Sequence, residues 1–117
     1  MNSIKILKKS ITFSANGQDC KLQDTNITQG EFSEDFNFGM YFSTSSGLCI
    51  VNLNTQEVRK IDMSVGVCFY TFQKYPSFKF GIGIVLAHDN SPEGERFWVH
   101  ELSLEKPRLS DRKKSWR

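Results

Sequence analysis

The sequence predicts an all-β chain, or a β-dominated α+β one: a single-domain antiparallel sandwich or barrel of about eight short strands with a central meander. Three observations carry this. Apolar residues recur with a period of two in several runs, the spacing of strands rather than helices. Turn-forming clusters break the chain at roughly 8–12-residue intervals. The most apolar run contains Gly81 and Gly83, and each glycine inside a helix costs about 1 kcal/mol.

Ile4 to Ser14 reads as one strand, with a bend near Ser10. Asn16-Gly17 is a hairpin turn signal. Cys20 to Ile27 reads as a weak return strand at a sheet edge, with Cys20, Leu22 and Ile27 as its few anchors. Thr28 to Asp35 is polar, contains Gly30, and reads as a loop. Phe36, Phe38, Met40 and Phe42 alternate with Asn37, Gly39, Tyr41 and Ser43, giving another strand. Ser43 to Gly47 is a turn by composition. Leu48 to Leu53 and Val58 to Met63 follow as strands.

Val65 to Ala87 is the centre of the reading. Two aromatic and β-branched runs flank Lys74-Tyr75-Pro76-Ser77, the pattern of a hairpin. In the first run, Val65, Val67 and Phe69 fall on one face and Cys68, Tyr70 and Phe72 on the other. Apolar residues on both faces predict a central strand. In the second run, Phe78, Phe80, Ile82, Ile84 and Leu86 share a face opposite Lys79, Gly81, Gly83, Val85 and Ala87. That predicts one buried face, with the two glycines making room for a bulky neighbour or a ligand. Phe36 to Ala87 then forms a meander of five strands. His88 to Arg96 reads as a polar loop and Phe97 to Glu105 as the last strand, ended by Pro107. A helix at 18–34 or in the tail is the α+β alternative.

The 117 residues fit one domain, 1–105, with a basic and flexible tail, 106–117. That tail holds six of the fifteen Lys and Arg residues and one of the thirteen acids, so the body is net acidic although the chain is +2 overall. Basicity therefore does not mark the whole domain as a nucleic-acid binder. Three widely spaced cysteines, Cys20, Cys49 and Cys68, with no C-x-x-C pair, predict free thiols in a reducing cytoplasm. No run is apolar enough for a membrane span or a secretory signal.

Candidate chemistry is sparse. His88 and His100 could act as base and acid in RNA cleavage if they converged. The cysteines and histidines lack the local pairing of a zinc site. Neither a P-loop nor a nucleophile elbow occurs. The expectation is a protein without catalytic residues, metal or cofactor. Between Asp19 and Asp35 lie five acids, Asp19, Asp24, Glu31, Glu34 and Asp35, against Lys21 alone. Such a rim steers a basic partner. The leading expectation is a small cytoplasmic inhibitor of the immunity-protein kind. It would occlude a basic protein such as a nuclease toxin through Asp24, Glu31, Glu34 and Asp35, with Trp98 as an apolar anchor. The alternatives are a nucleic-acid module stacking bases on Tyr41, Tyr70, Phe72 or tail Trp116, and a small-ligand β-barrel or enzyme opened by Gly81 and Gly83.

Overall fold

The computed structural model of the chain has twelve strands and no helix among the residues it describes. Those residues are 3–7, 10–15, 18–24, 26–33, 37–63, 65–89, 96–103, 108–110 and 114–115. They form three open antiparallel sheets. The all-β expectation holds. The chain divides into two units, Met1–Ile61 and Asp62–Arg117.

The first unit holds two sheets. One is β1 (Ser3–Leu7), β2 (Ser10–Ala15) and β3 (Gln18–Gln23), in that order. The other is β4 (Ile27–Ser33), β5 (Phe38–Ser43), β6 (Gly47–Asn52) and β7 (Val58–Lys60), also in chain order. The expected single strand Ile4 to Ser14 is thus a hairpin, with Leu7 paired to Ser10. The expected loop from Thr28 is instead β4. A bulge between Ile27 and Gln29 re-phases it, so that Ile27, Gly30 and Phe32 share a face despite their mixed spacing.

That face packs on the first sheet. Ile11, Phe13, Cys20 and Leu22 meet Ile27, Phe32, Tyr41, Cys49, Val51 and Leu53 in one buried core, with Ile4 against it. Two positions let the sheets approach. A β-carbon at Gly39 would collide with the Phe13 ring, and one at Gly30 with Ile11 and Ile4. Gly30 looked like a loop residue; its lack of a side chain is what the facing sheet requires.

In the second unit, β8 (Val67–Lys74), β9 (Ile82–His88) and β10 (Phe97–Ser103) form an antiparallel sheet. β11 (Arg108–Leu109) and β12 (Lys114–Ser115) pair with β10. Two stretches of the segment expected as a flexible tail are therefore strands. The expected five-strand meander is divided, because β4 to β7 and β8 to β10 belong to different sheets.

The central hairpin exists, with two corrections. Its roles are reversed: β9 is buried from Ile82 to Ala87 on both faces, while β8 has exposed positions and lies at the end of the strand order. The turn is also longer. Residues 75–81 are held by Tyr75 N donating to Gly81 O (2.8 Å) and Gly81 N donating to Phe78 O (3.0 Å). Gly81 takes a φ of +73° there, a conformation that glycine adopts without a Cβ penalty.

Candidate functional site

The five acids do not gather. Asp19 is exposed on β3 and alternates with the core residues Cys20 and Leu22, so it lies on the outer side of the first sheet. Glu31 pairs with Met40, not with the core-facing Tyr41, so it lies on the face of the second sheet turned away from that core, beside buried Met40 and Phe38. These two surfaces face away from each other across the first unit's core. Asp24 is committed internally. Its Oδ1 accepts from Ser46 Oγ at 3.0 Å and Ser43 Oγ at 3.4 Å, while Ser43 Oγ accepts from the backbone N–H groups of Ser45 and Ser46. The carboxylate therefore braces the β5–β6 turn. Glu34 and Asp35 lie outside the described residues.

Behind Asp24 stand Tyr41 and Cys49, a registered pair on β5 and β6. Burial pushes the Tyr41 phenol up, and Cys49 and Asp24 beside it push the same way. Burial also raises the Cys49 thiol, against a smaller lowering by the Tyr41 hydrogen bond. Cys20 is raised by burial. Both thiols are held protonated, so neither has the low pKa of a reactive nucleophile. All three cysteines are free, and Cys68 is exposed.

Tyr41 is thus a core residue and offers no stacking surface. Phe72 is half-buried and packs on Phe69, with ring centroids 4.8 Å apart. The two share a face because β8 bulges between Phe69 and Thr71. Plain alternation had placed them on opposite sides. Tyr70 keeps the face of Cys68, where alternation places it, and lies against Phe97 at 4.8 Å. The Arg96 guanidinium lies 5.9 Å from the Phe97 centroid. Tyr70 is 48% exposed, and Val65, just before β8, is fully exposed. Phe97 had not been singled out; its pairing with Ala87, the neighbour of Cys68 across the hairpin, is the register fact that brings it to Tyr70.

Trp98 pairs with Leu86 and lies on the opposite face from Phe97. It is half-buried and stands beside buried Ile84 and His100, so it does not share the Tyr70 surface. Gly83 makes room for Val99 and Tyr75, whose side chains a β-carbon there would crowd. The spacer reading of that glycine accounts for its surroundings. The turn before it is fixed by Lys79 N donating to Glu101 Oε2 at 3.0 Å.

His88 and His100 do converge, with Nε2 atoms 2.9 Å apart. Acid–base cleavage of a phosphodiester needs the two imidazoles on either side of the substrate. Here they bond to each other and leave no space between them. Among the described residues, no group of three or more His, Cys, Asp or Glu side chains could hold a metal ion. No described helix is long and apolar enough to cross a membrane.

No protein-family model, curated protein or solved structure matches the chain.

Proposed function

We propose that this is a non-catalytic binding protein that docks on a protein partner and occludes it, using the exposed surface around Tyr70 on β8. One observation supports this above others. An exposed tyrosine packs on Phe97, and the Arg96 guanidinium lies 5.9 Å from the centroid of that same ring. Tyrosine and arginine are the side chains most enriched at the energetic centres of interfaces. A partner suited to it carries an apolar socket for Tyr70 and a carboxylate for Arg96. The expected basic partner rested on an acidic rim that the described acids do not form. Free thiols fit a cytoplasmic setting.

The test is co-purification of the full chain from its native host, beside Tyr70→Ser and Arg96→Glu variants. The reading expects one stoichiometric partner that both variants lose. Retention of the partner by both variants overturns it. Binding of single-stranded oligonucleotides that weakens as salt rises, and that needs Tyr70, favours the nucleic-acid reading instead.

A further inference from the structure

We propose that strand β3, at the open edge of the first sheet, is a self-association surface. It takes β3 of a second copy of this chain, antiparallel, around a two-fold axis through Cys20. This edge lies in the first unit, whereas Tyr70 lies in the second.

Among the described residues β3 pairs with β2 alone and ends the strand order of its sheet. A strand in that place presents N–H and C=O groups on its outer side to any strand that arrives. Edges are commonly blunted by a bulge, a proline or shortness. β3 has none of these: its six residues, Gln18–Gln23, include no proline and pair with β2 in an unshifted register. A lysine on an edge ordinarily repels a neighbouring strand. Here Lys21 has Asp19 two residues before it on the same face. The other edges of the first unit are less suited. β4 is bulged, β7 has three residues, and β1 carries a single charge, Lys5.

The two faces of β3 limit how a copy can pair with it. Cys20 and Leu22 are buried on the core side, and Asp19, Lys21 and Gln23 are exposed on the other. A two-fold axis normal to the sheet brings in the second copy antiparallel, with its core side matched to the first. The axis must pass through a residue, because a centre between two residues sets core positions against outer ones.

Charge then selects the residue. Centred on Asp19, the two aspartates face each other; centred on Lys21, the two lysines do. Like charges directly opposite are destabilising. Centred on Gln18, Leu22 or Gln23, neither Asp19 nor Lys21 meets its opposite. Centred on Cys20, Asp19 of each copy meets Lys21 of the other, twice over. Side chains directly opposite in an antiparallel pair have Cβ atoms about 4.5–5.5 Å apart, within reach of an ion pair. Among the described residues, neither Asp19 nor Lys21 makes an ion pair in its own chain. The contact is isologous, as a two-fold dimer requires, and it joins two three-stranded sheets edge to edge. Being short and partly ionic, it is weak, concentration-dependent and sensitive to salt.

The experiment is sedimentation equilibrium of the full chain at rising concentration and low salt. It compares the wild type, Asp19→Lys, Lys21→Asp and an equimolar mixture of the two variants. Both positions are exposed, and circular dichroism checks that each variant keeps its strands. The wild type should dimerise. Each variant alone should dissociate about tenfold more readily or worse, because two attractive pairs become repulsive. The mixture should regain the dimer, since every aspartate then opposes a lysine. A wild type that stays monomeric throughout overturns the proposal, and that result needs no variant. So does a dimer that neither substitution weakens, or a mixture that associates no better than its components.

Discussion

Phe13 and Tyr70 are both aromatic residues on β-strands, and they have opposite fates. Phe13 is 0% exposed, with its ring lying on the backbone of Gly39 in the facing sheet. Tyr70 is half outside, at the bulge of β8. Neither outcome follows from hydrophobicity. In the first unit, missing side chains at Gly30 and Gly39 let two sheets close over the aromatic ring. In the second, a bulge turns Phe72 onto Phe69 and leaves Tyr70 exposed on the other face. Substitutions in the first place should change stability; substitutions in the second should change recognition.

The largest effect expected from this contrast is at Phe13. Phe13→Ala should destabilise the chain by about 3–5 kcal/mol, as lost burial and an unfilled cavity combine. Urea denaturation measures it, and a loss below about 1 kcal/mol would mean that the two sheets of the first unit are not packed as described.

Asp24→Ala comes next. It removes the acceptor of the Ser43 and Ser46 hydroxyls, and hydrogen bonds to a charged group are worth about 1.5–3 kcal/mol. The expected loss lies in that range, with faster hydrogen exchange confined to the β5–β6 turn. Unchanged stability would return Asp24 to the role of a surface acid available to a partner.

Alkaline pH should cost the first unit a comparable amount. Burial raises the Cys20 and Cys49 thiols above their ordinary value of 9.0. An unfolded chain releases those protons first, so stability is complete below that value and falls as pH rises past it. The slope is at most about 1.4 kcal/mol per pH unit for each thiol. Urea midpoints from pH 7 to pH 10 should decline, and Cys20→Ala should decline less steeply. A curve that Cys20→Ala leaves unaltered would place that thiol in water.

The same pair of bulges explains which parts of the fold were legible. β5, β6 and the two halves of the central hairpin could be read because their alternation is unbroken or nearly so. β4 could not, because the bulge after Ile27 shifts Gly30 and Phe32 into phase with Ile27 only once it has formed. Phe72 moved to the face of Phe69 for the same reason, while Tyr70 stayed on the face of Cys68. The order of strands in a sheet is also silent in a period-two pattern, so β8 was taken for the buried strand when β9 is. The two histidines were singled out, but no spacing rule brings them together. They sit at non-paired positions of β9 and β10, four residues out of register, since His100 pairs with Ile84. The acids failed differently: nearness in sequence joined Asp19 to Glu31, but successive strands carried them to opposite sides of the first unit's core, Asp19 to an exposed face and Glu31 to one lined by buried Met40 and Phe38.

At Tyr70 itself, Tyr70→Ser should alter stability by no more than about 0.5 kcal/mol, as expected for an exposed position. The most direct measurement is photo-crosslinking in the native host, with a benzoylphenylalanine replacing Tyr70 in one chain and exposed Thr55, on the β6–β7 turn, in another. The account predicts one discrete protein adduct from position 70 and none from position 55. Equal adducts from both positions, or an adduct from position 55 alone, would contradict it.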